Sequence, residues 1–349
     1  RWMLGGARRN EPFDLPLAGT YFFGPPTPSD HELYVIGERD NEIALYVLEP
    51  SLGRPVYIQP LANSASGLDV DMVRRQWGCQ PAIAEGIAVC PTTSGWLTAV
   101  DRHEQRVLWA VHLGGTISSR DRNRFGGAVV HRAEPLNARW AMTPPIISAG
   151  RVFYTPPELP SPQGAEPVLV CLDLSTGQEL WRRPKEDEGL YLAAASTTRV
   201  LIVGRSRVRL LDAGDGQEVM AWSLPVDGPP SGRGLLQGDR YLLPLANGEL
   251  WTLTIHGEPA CEQLRLPAGG RPMGNLLLAG GRLLSVDSLA IRCFRGWTEL
   301  HHELTAREAV DPDDLWAALR RSELDRMQGD RAAAIRRLSS LNPKTLPST

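Results

Sequence analysis

The sequence predicts an all-β fold of repeated four-stranded sheets, followed by a short helical segment. Three observations lead to this prediction. The 349 residues include 34 glycines and 29 prolines, a content typical of a chain with many tight turns. Short apolar runs separated by glycine turns recur about every 40 residues, which is the period of a four-stranded propeller blade. After residue 311 the hydrophobic pattern changes to a helical one.

Composition excludes several function classes. The 37 Lys and Arg residues nearly balance 40 Asp and Glu residues, so the chain lacks the single-sign field that favours nucleic-acid or anionic-membrane binding. No apolar run approaches the roughly 20 residues of a membrane-spanning helix. We therefore expect a globular protein without a nucleic-acid partner and without a membrane span in this chain.

Two units carry the repeat most clearly, at residues 80–109 and 143–181. Both follow the order strand, glycine turn, strand, loop, strand, polar turn, strand. In both, an Asp stands eight residues before a Trp. The pairs with this spacing are Asp101 with Trp109, Asp173 with Trp181 and, in weaker copies, Glu49 with Tyr57 and Asp212 with Met220, where the indole has moved to Trp222.

Six units can be recognised along the chain. We place the blades at about residues 20–61, 78–113, 140–184, 189–224, 232–266 and 275–300. The predicted domains are therefore a propeller over residues 1–300 and a helical segment over residues 301–349. Two insertions, at about residues 114–139 and 156–167, lengthen the middle units and supply the longest loops.

The polar turn of the repeat has a simple physical interpretation. Asp173 and Thr176 can accept hydrogen bonds from nearby backbone N–H groups, and Gly177 permits a positive φ. The Trp that follows can fill the widening space between twisted neighbouring blades. Because such residues recur instead of converging on one place, we assign a structural role to Asp101, Trp109, Asp173, Thr176, Gly177, Trp181, Asp212, Gly216 and Trp222.

The stretch Leu-Asp-Leu-Ser-Thr-Gly-Gln-Glu-Leu-Trp at residues 172–181 resembles the PQQ-like (quinoprotein-type) repeat. The resemblance covers roughly residues 20–300 and implies a β-propeller of usually seven or eight blades, of which six are recognisable here and the others would lie upstream. The order of segments is also similar to large bacterial propeller proteins that end in tetratricopeptide-like helices. The resemblance further implies export to the periplasm or beyond, although no signal peptide is visible in this chain.

The C-terminal segment predicts two helices. We expect Asp311 to cap the first, with Pro312 at its first position, and Gly329 to end it. Asp330 is the expected cap of the second, which would end at residues 342–343. The pair is similar to half of a tetratricopeptide repeat, and a helical hairpin packed on the propeller explains the same pattern.

Two further features allow a functional and a structural interpretation. Cys79 and Cys90 flank a glycine turn on expected neighbouring strands, where they would form either a cross-strand disulfide or two reduced, buried thiols. The insertion at residues 114–139 is locally basic and is either a binding loop for an acidic partner or a solvated surface excursion. The basic residues of this candidate loop are Arg120, Arg122, Arg124, His131, Arg132 and Arg139.

No catalytic, cofactor-binding or metal-binding residue is assigned. A quinone dehydrogenase of this family would need calcium ligands, an Asp base, a stacking Trp and commonly an adjacent Cys pair, and the Cys pair is absent from the sequence. Trp251 is a stacking candidate, although blade packing explains it better. His301 and His302 are adjacent, which does not suit a helical metal site, and we interpret them as part of a solvated linker.

These observations favour a non-enzymatic propeller that acts as a scaffold for protein interaction or assembly in the cell envelope. Its partner would bind through the propeller loops and the C-terminal helices, and no cofactor is required. Two alternatives stay open. One is an oxidoreductase dependent on pyrroloquinoline quinone (PQQ) and calcium, and the other is a ligand-sensing propeller within a larger signalling protein.

Overall fold

The computed structural model describes residues 2–8, 14–68, 71, 74–113, 143–156, 168–184, 189–265, 272–294, 296–327 and 329–339. These residues form six antiparallel sheets and three helices in chain order. Four of the sheets have four strands each, connected to their sequence neighbours, as the repeat predicts. The predicted all-β blade architecture is thereby confirmed.

The strands of the first three sheets are β1 (Tyr21–Phe22), β2 (Thr27–Ser29), β3 (Glu32–Arg39), β4 (Glu42–Leu48) and β5 (Pro55–Asn63); β6 (Ala82–Ala84), β7 (Ile87–Pro91), β8 (Trp96–Asp101) and β9 (Arg106–His112); and β10 (Ile146–Ser148), β11 (Arg151–Tyr154), β12 (Val168–Asp173) and β13 (Glu179–Pro184). The first sheet has five strands because β1 and β2 both pair with β3. Chain order is otherwise preserved across each sheet.

The strands of the last three sheets are β14 (Gly189–Ala195), β15 (Arg199–Gly204), β16 (Arg207–Asp212) and β17 (Glu218–Ser223); β18 (Leu235–Gln237), β19 (Arg240–Pro244), β20 (Glu249–Thr254) and β21 (Ala260–Arg265); and β22 (Asn275–Ala279), β23 (Arg282–Val286) and β24 (Ile291–Phe294). The sixth sheet has three strands in the described part of the chain. Each of the other five carries at least four.

Four hydrophobic cores lie between consecutive sheets, from the first sheet to the fifth, and a further core covers the other face of the first sheet. Ala88 and Cys90 of β7 pack toward the first sheet, whereas Val89 between them packs toward the third. Phe153 of β11 likewise faces the fourth sheet, while its neighbours Val152 and Tyr154 face the second. Since successive side chains of a strand point to opposite faces, each middle sheet contributes to two cores. This is why middle strands such as β7, β12 and β15 are apolar at nearly every position instead of alternating.

The chain divides into two compact units, Arg1–Pro272 and Met273–Thr349. The first contains β1–β21, and the second contains β22–β24 together with the helices. The boundary drawn from the sequence at residue 300 follows the change of periodicity, whereas the sixth sheet groups with the helices that follow it. The sequence-based division stays a prediction.

The second unit contains the helices α1 (Trp297–Val310), α2 (Leu315–Met327) and α3 (Arg331–Ser339). Leu304 of α1 packs with Ala317 and Leu324 of α2 in a small core. No helix in the described part of the chain is long and apolar enough to cross a membrane.

Three expectations about this segment need correction. Helix α1 replaces both the last part of the sixth repeat, expected up to residue 300, and the linker expected at His301 and His302. The cap of α2 is Asp314, whose Oδ1 accepts a hydrogen bond from the Ala317 N–H at 2.9 Å. Asp311 instead accepts one from the Asp313 N–H at 3.0 Å, so it closes a turn before the helix. Asp330 caps α3 as expected, through the Ala333 N–H at 2.8 Å.

Candidate functional site

The recurring Asp residues organise the polar turns. Asp173 Oδ1 accepts hydrogen bonds from the backbone N–H groups of Ser175 and Thr176 at 3.0 and 2.8 Å, and from their hydroxyls at 2.6 and 2.8 Å. The hydroxyls of Ser175 and then Thr176 lower the pKa of Asp173 below its ordinary value. Asp101 accepts the His103 and Glu104 N–H groups in the same way. These carboxylates are engaged with their own turns.

Two polar turns, those that follow Asp173 and Asp212, also receive a tryptophan from the preceding sheet. Trp109 Nε1 donates to the carbonyl oxygen of Leu174 at 2.8 Å, and Trp181 Nε1 donates to that of Ala213 at 3.0 Å. The Trp109 ring lies against Gly177, where a Cβ would come within 2.6 Å of it. The repeat residues therefore connect one sheet to the turn of the next.

Sequence analysis missed a third example of this contact. Trp2 Nε1 donates to the carbonyl oxygen of Pro50 at 2.8 Å, and its ring lies against Gly53, where a Cβ would come within 2.5 Å. Pro50 follows Glu49, as Leu174 follows Asp173 and Ala213 follows Asp212. Trp2 thus occupies, on the turn of the first sheet, the position that Trp109 and Trp181 occupy on later turns.

The fourth sheet departs from the pattern at its outer strand. Met220 pairs with Leu210 in the register that Trp181 has with Cys171. Trp222, two residues further on, packs against the core between the fourth and fifth sheets. The displaced indole is therefore still used for packing.

The two cysteines considered for a disulfide are free thiols in the structure. Both are fully buried and belong to the core between the first and second sheets. Cys79 precedes β6 and does not lie on a strand, contrary to the expectation of two neighbouring strands. Burial raises the pKa of Cys79 to about 12 and that of Cys90 well above its usual range. Such thiols are protonated and unreactive.

The candidate basic loop lies outside the described residues. This applies to Arg120, Arg122, Arg124, His131, Arg132 and Arg139, which fall within residues 114–142. Most of the second insertion, from residue 157 to residue 167, also lies outside them. The proposed role of both loops stays a prediction.

A buried ion pair holds the segment after the first sheet. Glu38 of β3 and Arg74 are 4% and 6% exposed, and Arg74 Nη2 contacts Glu38 Oε2. Arg74 also donates through Nε to the Thr93 hydroxyl at 3.2 Å. Desolvation raises the pKa of Glu38 above its ordinary value. A buried charge needs both a counter-charge and hydrogen bonds. This cluster therefore fixes the position of the segment around Arg74 relative to β3.

An open cavity of about 260 Å³ lies beside the first strands of the third, fourth and fifth sheets. Among the described residues that line it, Arg233 carries the charge. Its guanidinium lies over the Tyr191 ring, 5.0 Å from the centroid, and its Nη1 donates to the Thr143 hydroxyl at 3.3 Å. The apolar lining residues include Pro144, Ile146, Leu192 and Ala193.

Two phenols complete the polar side of this cavity. The hydroxyl of Tyr241 donates to that of Tyr191 at 3.3 Å, and Tyr191 donates to the carbonyl oxygen of Gly232 at 3.3 Å. Gly234 permits the close approach of the Tyr241 ring, because a Cβ at this position would come within 2.5 Å of it. Sequence analysis missed this site since its residues lie in three different repeats. The one local signal is the Gly-Arg-Gly triplet at residues 232–234.

The tryptophan considered as a stacking surface for a quinone is buried in the structure. Trp251, the stacking candidate, is 3% exposed, and its Nε1 donates to Glu249 Oε2 at 3.1 Å. It packs in the core between the fourth and fifth sheets, so neither ring face is open to a planar cofactor. In the part of the chain that the structure describes, no three His, Cys, Asp or Glu side chains are grouped to hold a metal ion.

The chain was compared with protein-family models and with curated proteins. The family model described as outer membrane protein assembly factor BamB, a PQQ-like repeat model, matches residues 93–284, more than half of the chain. A search of curated proteins finds no match.

Several solved structures are similar to the chain. BamB from Moraxella catarrhalis has a TM-score of 0.48 and 14% identity, over 79% of this chain and 74% of that one. A quinohemoprotein alcohol dehydrogenase from Pseudomonas putida HK5 has a TM-score of 0.43 and 16% identity, over 71% and 43%. A europium-containing methanol dehydrogenase has a TM-score of 0.45 and 13% identity, over 72% and 53%.

Proposed function

The chain belongs to the PQQ-like repeat family described as outer membrane protein assembly factor BamB, and we propose that it is a non-enzymatic β-propeller scaffold for protein interaction or assembly in the cell envelope. The family description supports both the assembly role and the envelope location. No cofactor enters this proposal.

The observation that carries the proposal is the use made of the repeat landmarks. Asp173 is engaged with its own turn, and the indoles of Trp109 and Trp181 dock on turns of the following sheets. These polar groups stabilise a frame instead of converging on a reaction centre. A rigid frame of this kind suits the display of loops and helices to a partner.

Helix α3 supports the helical part of the proposed partner surface. Ile335 and Leu338 are large apolar residues on this helix, and both are exposed, by 64% and 44%. Exposed apolar side chains near one another are typical of protein contact sites. We propose that this face, together with the propeller loops, binds the protein partner.

The test is the size of the native assembly. We expect the tagged chain in a detergent extract of cell envelopes to migrate well above its own 38.3 kDa. The double variant Ile335→Asp, Leu338→Asp should migrate as a smaller species. The control is Val310→Asp at an exposed position on α1, which should behave as the unmodified chain. A monomeric unmodified chain would contradict the scaffold role, and an unchanged double variant would remove α3 from the partner surface.

A second experiment addresses the oxidoreductase alternative. We expect calorimetric titration of PQQ, with and without calcium, to give no calcium-dependent binding. We also expect no oxidation of alcohols or sugars by the full-length protein. Micromolar binding together with turnover would favour the dehydrogenase and contradict a purely structural role.

The cavity beside Arg233 favours the ligand-sensing propeller as a second candidate function. Its combination of apolar walls with a few polar groups is typical of small-molecule sites. The domains adjoining this chain in the full protein would distinguish a sensor from a scaffold.

A further inference from the structure

We propose that β24, the outer strand of the sixth sheet, binds an extended segment of a partner protein, which pairs with it as a fourth strand. The bound segment carries a large aromatic or apolar residue opposite Cys293. This inference rests on the proposed scaffold role, to which it adds a contact surface separate from α3 and from the propeller loops.

The sixth sheet has a place for this strand. In each of the other five sheets the strand equivalent to β24 pairs on both of its sides. Strand β24 pairs with β23 and, among the described residues, with no other strand. Helix α1 follows it where the other repeats have their fourth strand. The outer edge of β24 therefore continues an interface that the same chain forms in its five other sheets.

This outer edge presents the main-chain groups of Ile291 and Cys293. The Ala290 carbonyl oxygen accepts a hydrogen bond from the Asp287 N–H at 3.0 Å, so the main-chain groups of Ala290 face β23. Successive residues of an antiparallel strand present their N–H and C=O groups to opposite sides, which directs those of Ile291 and Cys293 outward. An extended peptide can pair with such groups by adding a strand to the sheet.

The side chains of the same two residues are exposed. Ile291 is 73% exposed, and Cys293 is exposed as well. Their equivalents in the third sheet, Leu169 and Cys171, are fully buried. Arg282 hydrogen-bonds with the Cys293 side chain, a contact that does not involve the outward main-chain groups. An apolar partner segment would remove part of the Ile291 surface from water, which favours binding.

The other sheets indicate what the bound strand carries opposite Cys293. Cys293 pairs with Leu284, the third residue after the turn glycine, as Cys171 pairs with Phe153 in the third sheet. In the first four sheets the residue at this place pairs with a large side chain of the fourth strand: Val47 with Tyr57, Ala99 with Trp109, Cys171 with Trp181 and Leu210 with Met220. The fifth sheet differs, with Thr252 opposite Glu262. Because Cys293 matches the Cys171 type of position, we expect a large aromatic or apolar partner residue.

The probe is a synthetic peptide with the sequence of β9, residues 106–112, whose Trp109 would stand opposite Cys293 as it does opposite Ala99. We expect saturable one-site binding to the full-length protein by calorimetry, and amide hydrogen exchange slowed at least tenfold at Ile291 and Cys293. The control peptide is N-methylated at the tryptophan, lacks the N–H that would donate to Cys293, and should bind at least tenfold more weakly. No saturable binding, or equal binding of the two peptides, would overturn the proposal.

Two variants locate the site. Cys293→Pro removes an outward N–H, a change that edge strands tolerate, and Ile291→Lys places a charge on the edge. Both should weaken peptide binding at least tenfold, whereas the control Leu277→Lys, at an exposed position on β22, should leave it unchanged. Circular dichroism establishes which variants are folded, and Ile291→Lys decides if Cys293→Pro is not. Unchanged peptide binding by a folded edge variant would overturn the proposal.

Other occupants of the edge give different results. Slow exchange at Ile291 and Cys293 before any peptide is added would assign the edge to another segment of the same protein. A dimer that Ile291→Lys dissociates, as analytical ultracentrifugation would measure, would assign it to a second copy. Either result would overturn the proposal. Failure of the peptide to bind while the native assembly in envelope extracts stays large would reject β24 and leave the scaffold role intact.

Discussion

The glycine in the turn that follows Asp173 meets two requirements at once. Gly177 has a φ of +71°, and a Cβ there would come within 2.6 Å of the Trp109 ring. Gly238 has a similar φ of +62° but no atom within 4 Å of a Cβ position. The two positions therefore separate the cost of the backbone conformation from the cost of the steric conflict.

We expect Gly177→Ala to lower the free energy of unfolding by about 2–4 kcal/mol, because the positive φ and the overlap with the indole add together. Gly238→Ala should cost about 1–2 kcal/mol, from the positive φ alone. Urea unfolding of the two variants measures both values. Equal losses would contradict the steric role of the indole.

The charge of Asp173 predicts a pH dependence. Its folded-state pKa is lowered by hydrogen bonds from Ser175 and Thr176, so the stabilisation by the carboxylate is present above the unfolded pKa of about 3.9 and is lost as the pH falls through the folded value. We expect the stability difference between the unmodified chain and Asp173→Asn to be constant from about pH 7 to 5 and to shrink below about pH 4. Urea unfolding across this range measures it, and parallel curves at all pH values would contradict the assignment.

At the scale of the elements, two tryptophans join the last strands β9 and β13 to polar turns of the sheets that follow. Trp181 is 8% exposed and Trp2 is 39% exposed, although both donate to an equivalent carbonyl. The contact made by Trp181 is therefore buried between two complete sheets. The equivalent contact made by Trp2 on the first sheet leaves part of the indole exposed.

We expect Trp181→Ala to cost about 3–5 kcal/mol, the usual loss for a large buried aromatic residue. Trp2→Ala should cost only about 1–2 kcal/mol, since less surface is buried, and should accelerate amide hydrogen exchange at Gly53, whose N–H is bonded to the Glu49 carbonyl oxygen. The matched control is Trp96→Ala, at a similarly exposed tryptophan that contacts His112 within its own sheet. If Trp96→Ala accelerated exchange at Gly53 equally, the contact of Trp2 would not be specific.

Elements whose pattern is local were predictable, and those that depend on distant partners were not. The Asp-to-Trp spacing located the sheets because strand, turn and strand follow one another in the chain. Helix α1 was missed since its two core residues, Leu300 and Leu304, lie at the end of a run of repeats and resemble a further strand followed by a linker. The cavity could not be found because Thr143, Tyr191 and Arg233 meet only when three sheets have formed.

At the scale of the whole molecule, the accessibility of the five cysteine thiols shows which parts of the chain are closely packed. Cys79, Cys90 and Cys171 are buried, Cys261 is half-buried and Cys293 is exposed. We expect rapid alkylation of Cys293 in the native protein and alkylation of all five thiols after unfolding without reductant, as mass spectrometry would measure. Three thiols after unfolding, with Cys79 and Cys90 protected, would instead establish the disulfide that the sequence left open.

The tryptophan contacts also bear on how such a chain can change in length. The third sheet carries both halves of this contact, with the Trp181 donor on its last strand and the Leu174 acceptor in the turn before it, so this repeat presents two complementary ends. A duplicated or deleted copy would therefore find a matching neighbour on both sides. A change in the number of such repeats would need no new contact chemistry, because donor and acceptor are copied together with the repeat.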